Sequence, residues 1–321
     1  MNKKLLLAVI LTIFALVAAA CGNNDSKDSG DKSSTSGSKN EETTEITIKH
    51  ELGDTKVKKN PKKVVVFDFG ALDTLDKLGV NVAGVPQKVV PPYLKKYEDK
   101  KYENVGSLKE PDFEKLANMD PDLILISGRQ SSSYDQLSEI APTVYVGVDT
   151  EDYLGSFKKN MEAIGQIFDK EDEVKKQVDE IDGKIADVKQ KAEKADEKGL
   201  VIIANDSKIS AYGNKSRYGF VYDVLGVKPV DEKIEASTHG MNISFEYIKE
   251  KNPDILYVVD RSAAIGEGKP AKDFLENDLV KQTNAYKNDK IVYLDPFMWY
   301  LSGGGIQSVT SQIEDVSKSL D

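Results

Sequence analysis

The hydrophobic and polar positions of the chain form their most regular pattern in residues 170–199. Apolar side chains recur there at alternating steps of four and three residues, which places them on one stripe of an α-helix. Nearly every other position holds Lys, Glu, Asp or Gln, so only that stripe can be buried. We predict one long helix of about 40 Å, with Asp169 as its N-cap and Gly199 at its end. The stripe consists of Val174, Val178, Ile181, Ile185, Val188 and Ala192.

A shorter apolar stripe precedes this helix and predicts an approach helix that carries Phe157, Met161, Ile164 and Phe168. The two segments form the single connection that we expect between two halves of the molecule. Because a long helix with one packed face resists bending, we expect this connection to be stiff and the cleft between the halves to be largely preformed.

An internal repeat indicates what the two halves are. Residues 113–129 align without a gap with residues 245–261, an offset of 132 between 113 and 245. In each copy a short helical segment ends before Pro-Asp and an apolar run follows, which is typical of a buried strand. Arg129 and Arg261 each stand just after that strand.

The segments around the repeat correspond as well. Apolar runs at residues 64–67 and 200–203 each lead to a helix that closes on Leu-Gly-Val. Each half therefore reads strand, helix, strand, helix, strand, and the predicted fold class is α/β, with two Rossmann-like lobes and parallel sheets. Ligands of such sheets bind beyond the carboxyl ends of the strands, so Arg129 and Arg261 should face each other across the cleft. An alternating pattern at residues 46–57 adds a hairpin, with Gly53-Asp54 at its turn.

The amino-terminal segment indicates the compartment. Two lysines, an apolar run at residues 5–17 and Ala18-Ala19-Ala20 form a secretory signal with a small-residue cleavage site before Cys21. Cys21 is the only cysteine, and its position resembles the lipidation site of bacterial lipoproteins. The polar residues that follow cannot order themselves and predict a flexible tether. The expected division is a signal peptide at 1–20, a lipid-anchored tether at 21–45, a first lobe at 46–150, the connecting helix at 151–198 and a second lobe at 199–321.

Charge and arginine usage point to an anionic small ligand. The formal net charge of −10 argues against a nucleic-acid partner. Of 44 basic residues only Arg129, Arg217 and Arg261 are arginines, although solvated positions accept lysine equally well. Arginine offers a planar fork that binds carboxylate or phenolate oxygens and stacks on aromatic rings. Two of the three stand at equivalent ends of the repeat, and Arg217 belongs to a polar turn at the same face.

Several other residues leave more than one interpretation open. His239 and His50 are the only histidines, too few for a three-histidine metal site, and a lone loop histidine is often merely solvated. Trp299 fits an aromatic wall for a flat ligand or a buried structural side chain equally well. The glycines at 303–305 fit an anion-binding nest or a flexible turn. The matched Glu114 and Glu246 fit helix capping or a two-point docking role.

The whole chain after the tether resembles the substrate-binding lipoproteins of iron-siderophore ABC importers, in particular the catecholate and petrobactin-type subgroup of Gram-positive bacteria. The resemblance implies the helical-backbone, class III periplasmic-binding-protein fold. It also implies a basic cradle of Lys109, Arg129, Arg217 and Arg261. The stretches that carry it are residues 64–78, GSLKEPDF at 106–113, the turns of Arg129 and Arg217, STHG at 237–240, VDR at 259–261 and WYLSGG at 299–304.

Further roles follow from the same resemblance. His239 and Tyr300 would complete the shell of Fe(III) when a siderophore supplies only four oxygens. Glu114 and Glu246 would meet arginines of the permease. The expected protein is a monomeric, lipid-anchored, non-enzymatic receptor on the extracytoplasmic face, without a cofactor, whose partners are a ferric siderophore and ABC permease subunits. A haem or cobalamin receptor on the same fold, an anchored surface hydrolase and an adhesin are the alternatives; the hydrolase lacks a nucleophile elbow and a second cleft histidine.

Overall fold

An antiparallel hairpin opens the part of the chain described by the computed structural model, residues 44–321. Its strands are β1 (Glu45–His50) and β2 (Gly53–Lys58), so β1 begins one residue earlier than expected. His50 pairs with Gly53, which places the turn at Glu51 and Leu52 instead of the expected Gly53-Asp54. The predicted signal peptide, the lipidation site Cys21 and the tether as far as residue 43 lie outside the described residues.

The first lobe is built on a five-stranded parallel sheet. Its strand order is β5-β4-β3-β6-β7, and each strand runs parallel to its neighbours as the sequence predicts. Thr55 of the hairpin donates a hydrogen bond of 2.8 Å to the carbonyl of Thr143, which ties the hairpin to the sheet edge. The elements are β3 (Val64–Val66), α1 (Phe69–Lys77), β4 (Gly84–Val85), a 3₁₀ segment (Pro92–Glu98), β5 (Glu103–Asn104), α2 (Phe113–Met119), β6 (Leu123–Ile126), α3 (Tyr134–Ile140) and β7 (Thr143–Tyr145).

Two helices, α4 (Tyr153–Phe168) and α5 (Glu171–Ala195), lead out of the first lobe. They run in opposite directions, since Lys158 bonds to Asp182 at 2.6 Å while Gly165 packs against Glu171. The predicted apolar stripes are confirmed: every stripe residue of both helices is buried except the half-buried Val178.

Both predicted caps of the long helix are wrong. Asp169 has a φ of +50° and ends α4, and Lys170 takes the N-cap position of α5. The Asp169 carboxylate accepts hydrogen bonds from Lys59 and Asn60 of the first lobe, so it is not available to the start of α5. The helix ends at Asp196, whose φ of +54° breaks it, because aspartate tolerates the left-handed conformation. Gly199 lies in the following strand.

The second lobe is built on a six-stranded sheet around β8 (Lys198–Asn205) and β12 (Ile255–Asp260), which run parallel. β9 (Lys208–Tyr212) turns back antiparallel after only two residues, too short a connection for a parallel crossover. The expected strand, helix, strand order is therefore interrupted, and antiparallel β9 and β11 extend the parallel part of the sheet. The other elements are α6 (Phe220–Asp223), β10 (Lys228–Pro229), β11 (Met241–Ile243), α7 (Phe245–Lys251), α8 (Arg261–Ile265), α9 (Asn284–Lys287), β13 (Ile291–Leu294), a π-helix (Phe297–Leu301) and α10 (Ile306–Ser319).

The internal repeat predicted from the sequence is confirmed in the structure. Helices α2 and α7 have seven residues each, and both end at a left-handed residue, Asp120 or Asn252. Each is capped by the side chain just before it, Asp112 or Ser244. A buried strand, β6 or β12, follows each helix.

Helix α10 adds a second connection between the lobes. It follows the second sheet in the chain but packs on α5 and on α1 of the first lobe. One cluster of buried apolar side chains runs from Leu72 and Leu75 of α1 to Val201 and Tyr257 of the second sheet. The helical crossover leads from the first sheet to the second, as predicted, and α10 adds a packing contact between the lobes that the sequence did not predict. Within residues 44–321, no helix combines the length and the apolar character that crossing a bilayer requires.

Candidate ligand-binding site

The three arginines of the chain all contact Tyr300. Arg129 and Arg217 each donate a hydrogen bond of 2.9 Å from Nη2 to the main-chain oxygen of Tyr300. Arg261 donates from Nε to the phenolic oxygen of the same residue, also at 2.9 Å. Residues that lie far apart in the sequence thus meet at one point between the lobes.

Each arginine is placed by the end of a regular element. Arg129 lies in the loop after β6, and Arg261 is the first residue of α8, directly after β12. Arg217 lies in the polar turn between β9 and α6. The carboxyl ends of the strands therefore carry the site, as expected for an open α/β sheet.

Tyr300 lies in the π-helix at Phe297–Leu301, and this geometry explains how it can bind several arginines. The amide of Ser302 bonds to the carbonyl of Phe297, five residues earlier. A π-helix is a rare conformation that occurs often at functional sites. The chain leaves helical geometry at Ser302, so the carbonyl of Tyr300 points its lone pairs to Arg129 and Arg217.

The Tyr300 ring also contacts the arginines through its π-system. The guanidinium carbons of Arg217, Arg261 and Arg129 lie 4.5, 5.7 and 5.9 Å from the ring centroid. Such distances allow a cation–π attraction. Asn205, at the end of β8, accepts a hydrogen bond of 2.7 Å from Arg261 Nη1 and fixes the orientation of that guanidinium group. Asn205 could not be identified from the sequence, because its role depends on the position of Arg261.

The cluster favours negatively charged oxygen atoms. Burial would raise the pKa of Tyr300, but the hydrogen bond from Arg261 and the charges of Arg217, Arg261 and Arg129 together lower it. Burial and the nearby charge of Arg217 lower the pKa of Arg129, with Asp68 opposing them. In the described part of the chain no arginine forms a salt bridge with a carboxylate. Three positive charges therefore lie together without a paired acid, in a protein whose net charge is −10.

Lys109 and His239 lie in loops that are attached to the arginine loops. Gln130, next to Arg129, donates a hydrogen bond to the carbonyl of Leu108. The amide of Arg217 bonds to the carbonyl of Ser237 at 3.4 Å. Both Lys109 and His239 have exposed side chains, so the structure brings their loops to the arginine loops without bonding the side chains themselves to Tyr300.

Trp299 is buried, so of its two interpretations the structure favours the structural side chain over the open aromatic wall. Its side chain is 4% exposed, and its ring centroid lies 6.5 Å from those of Tyr218 and Phe220. Its Nε1 donates a hydrogen bond of 2.9 Å to Asp315 of α10. Trp299 therefore attaches the π-helix to α10. The half-buried ring of Tyr300 forms the aromatic face of the site.

The glycines at 303–305 lie beside a buried carboxyl group of the protein itself, that of Asp73. The carboxylate of Asp73, in α1, accepts hydrogen bonds from the amides of Gln307 and Ser308 at 3.1 and 2.9 Å. Burial raises the pKa of Asp73 to about 7, and the hydrogen bonds from Ser308, Gln307 and Tyr93 oppose that rise. In the sequence, Asp73 stands beside Leu72 in an apolar helix, which indicates that its carboxyl group is buried against a hydrogen-bond donor. The sequence does not show which residue supplies that donor.

Glu114 and Glu246 occupy equivalent exposed positions in the first turns of α2 and α7. Neither forms a salt bridge within residues 44–321. Beside Glu114 lies a shallow surface depression of about 490 Å³, which no arginine lines. Its lining residues are Glu103, Asp112, Glu114, Lys115, Asn118 and Met119. The same part of the chain holds no group of three or more His, Cys, Asp or Glu side chains arranged to bind a metal ion.

Comparison with known proteins assigns the family. The model of a family described as "periplasmic binding protein" matches residues 64–297. The chain belongs to this family. It is 56% identical to the petrobactin-binding protein YclQ of Bacillus subtilis (strain 168), over 99% of both chains. It is 39% identical to the ferric-anguibactin-binding protein FatB of Vibrio anguillarum, over 86% of this chain and 87% of that one.

Solved structures of similar proteins have the same fold. The crystal structure of YclQ matches with a TM-score of 0.85 and 59% identity, over 87% of this chain and 99% of that one. The catecholate-siderophore-binding protein VctP of Vibrio cholerae matches with a TM-score of 0.82 and 36% identity, over 86% of this chain and all of that one. The family resemblance and the two-lobed α/β fold inferred from the sequence are both confirmed.

Proposed function

We propose that this periplasmic binding protein captures a ferric catecholate-type siderophore at the arginine cluster and delivers it to an ABC permease for iron import. The observation that carries the proposal is the group of three arginines around Tyr300, which form no salt bridge with any carboxylate of residues 44–321. A ferric catecholate complex is a compact multivalent anion whose ligand oxygens are phenolates on flat rings. Arginine forks bind such oxygens and stack on such rings.

Tyr300 supports this choice of ligand, because its side chain is itself a phenol. The cluster already holds a phenolic oxygen by a charge-assisted hydrogen bond and surrounds an aromatic ring with three guanidinium groups. A catecholate ring presents the same two features with more negative charge. Petrobactin, which names the relative YclQ, is the first ligand to test.

The remaining candidate residues receive the following roles in the proposal. Lys109 extends the basic surface from its exposed loop. His239 and Tyr300 complete the coordination of Fe(III) when the siderophore supplies only four oxygens, and Trp299 reports binding through its fluorescence without touching the ligand. Glu114 and Glu246 form the two docking points for arginines of the permease, one on each lobe.

The proposed location is the extracytoplasmic face of the cell membrane, with Cys21 lipidated and the receptor monomeric. A Cys21→Ser variant should be released from the membrane fraction while its siderophore affinity stays unchanged. A variant that remains in the membrane fraction would contradict anchoring through Cys21.

The experiment that tests the function is a fluorescence titration of Trp299 against ferric petrobactin, ferric enterobactin, a ferric hydroxamate, haem and cobalamin. Catecholate complexes should bind at a 1:1 ratio and more tightly than the others, because hydroxamates form neutral or cationic complexes. If a ferric hydroxamate, haem or cobalamin saturates the protein at a lower concentration than every catecholate, the proposal fails.

A further inference from the structure

The N-terminus of α10 is capped by the other lobe. The residue just before this helix is Gly305, which has no side chain to accept hydrogen bonds from the first turn. Such amides need an acceptor, which is usually the side chain of the N-cap residue itself. Here Gln307 and Ser308 donate to the Asp73 carboxylate, which lies 234 residues before Gln307 in the chain. The amide of Ile306 donates to the Thr74 hydroxyl at 3.2 Å.

The surfaces around this contact leave no room for side chains. A Cβ atom on Gly305 would lie 2.3 Å from the Asp73 carboxylate. A Cβ atom on Gly70, one turn earlier in α1, would lie 2.6 Å from the carbonyl oxygen of Gly303. Glycine on both sides therefore allows α1 and the segment before α10 to approach each other closely.

The segment that carries Tyr300 is fixed to α10. Trp299 donates to Asp315, and the Gln312 side chain donates to the carbonyl of Met298 at 3.0 Å. The Ser308 hydroxyl donates to the carbonyl of Ser302. The π-helix and α10 therefore form one unit, and a shift of α10 would move Tyr300.

The first lobe holds this unit at two points. Arg129 binds the carbonyl of Tyr300 at 2.9 Å, and Asp73 binds the first turn of α10. Tyr93, from the 3₁₀ segment, donates to the Asp73 carboxylate at 3.2 Å and supports it from the first lobe.

We propose that Asp73 is a positioning residue of the binding site: its carboxylate holds the start of α10, and with it the Tyr300 segment, at a fixed place against the first lobe. The hydrogen-bonded contact is thus a second link between the lobes, beside the helical crossover. Its effect on ligand affinity rests on the proposed siderophore function, whereas its effect on the Tyr300 segment does not.

The test separates capping of the helix from connection of the lobes. Asp73→Ala removes both. The double variant Asp73→Ala/Gly305→Asp places a carboxylate at the N-cap position of α10, in the space that the Asp73 side chain leaves, and restores only the cap. Asp73→Asn keeps the shape of the side chain and one acceptor oxygen, so it replaces Asp73→Ala in the measurements if that variant does not fold. Asp76→Ala is the matched control, because Asp76 lies on the same helix and bonds to Tyr97 within the first lobe.

The first measurement is amide hydrogen exchange without ligand. In Asp73→Ala, residues 306–308 and the Tyr300 segment at 297–302 should both exchange faster than in the wild type. In the double variant, protection at 306–308 should return while 297–302 stays faster, because the cap no longer joins the lobes. Unchanged exchange at 306–308 in Asp73→Ala, or wild-type exchange at 297–302 in the double variant, would overturn the proposal.

The second measurement is the affinity for ferric petrobactin, followed through Trp299. Asp73→Ala and the double variant should both bind about tenfold more weakly than the wild type, the size of one lost hydrogen-bonded contact, because both lose the contact between the lobes. Asp76→Ala should bind like the wild type. Full recovery of affinity in the double variant would show that Asp73 serves only as a helix cap. If the wild type itself does not bind ferric petrobactin, the proposed function fails, and the exchange measurement still decides the role of Asp73.

Discussion

Arg129 of the first lobe and Arg217 of the second donate to the same atom, the main-chain oxygen of Tyr300, each at 2.9 Å. Two like charges converge there because one carbonyl oxygen offers two lone pairs. The contact cannot be removed by changing the Tyr300 side chain. It therefore keeps both arginines in place independently of the Tyr300 phenol, which Arg261 binds.

Removing one arginine should weaken ligand binding substantially. We expect Arg217→Ala or Arg261→Ala to cost about 1.5–3 kcal/mol, the range for hydrogen bonds to charged groups. Lysine at either position should recover only part of that loss, because it keeps the charge and loses the planar fork. The measurement is the affinity for ferric petrobactin, with Lys208→Ala, an exposed lysine of β9, as the control. Full recovery by lysine would show that charge alone matters.

The hydroxyl of Tyr300 should matter most for siderophores that leave iron positions open. Tyr300→Phe keeps the carbonyl and the ring but removes the oxygen that Arg261 binds. Its affinity should fall about tenfold or more for a four-oxygen ferric siderophore and less for a six-oxygen one. Tyr286→Phe, at an exposed tyrosine, is the control. Equal losses for the two ligand classes would exclude direct coordination by Tyr300.

The docking role of the matched glutamates can be separated from ligand binding. Glu114 and Glu246 are exposed and lie on helices that carry no arginine of the cluster. The double alanine variant should bind ferric petrobactin normally and fail to restore iron uptake in a deletion strain. Glu250→Ala, on the same helix as Glu246, should restore uptake. If the double variant also restores uptake, the two residues have no docking role.

The titration of Asp73 should make the free energy of unfolding depend on pH. Its pKa rises from an ordinary 3.8 to about 7 in the folded protein, mainly through burial. The folded state therefore binds this proton more tightly than the unfolded chain does. The contribution of this proton to the free energy of unfolding is fully present below about pH 4 and is lost as the pH rises through about 7. The loss is at most about 4 kcal/mol.

The measurement is the difference in melting temperature between the wild type and Asp73→Asn at several pH values. The wild type should lose stability relative to the variant between about pH 4 and pH 7 and show no further relative loss above that range. Tyr93 and Tyr153, whose pKa values are raised mainly by burial, stay neutral in this range. Asp68, also buried with a raised pKa, is present in both proteins and cancels from the difference. A pH-independent difference would contradict the titration of Asp73.

The two connections between the lobes predict a small change of shape on binding. The helical crossover and α10 both pack across the lobes, which resists wide closure. Small-angle scattering of the ligand-free and ferric-petrobactin forms should give nearly the same radius of gyration. A contraction of several per cent would show that the connections bend.

The parts of the fold that follow local patterns could be predicted from the sequence. The stripe of α5 and the repeat at α2 and α7 are periodic features, and burial of an amphipathic face follows from them directly. The caps of α5 could not be predicted, because Asp169 is occupied by Lys59 and Asn60, which come from another part of the chain. The two-residue turn after β8 makes β9 run antiparallel to β8. The repeat alone did not predict this antiparallel strand.

The candidate site could be predicted only in part, because several of its contacts join distant segments of the chain. The rarity of arginine and its place in the repeat indicated Arg129, Arg217 and Arg261. The central place of Tyr300 depends on the π-helix, and the burial of Trp299 depends on Asp315 of α10. Such contacts are formed between distant segments, so residue type and spacing do not reveal them.

The contact between α1 and α10 has a consequence for the order of folding. Asp73 and Gln307 are 234 residues apart, whereas strands β3 and β6 of the first sheet join residues much closer in the chain. Contacts between distant segments form late, because closing a long loop costs more chain entropy. We therefore expect a refolding chain to regain its first sheet before Tyr300 reaches Arg129, which lies 171 residues earlier in the chain. A receptor newly delivered outside the cell would be compact before it can bind its ligand. Ligand binding would appear in the last kinetic phase of refolding.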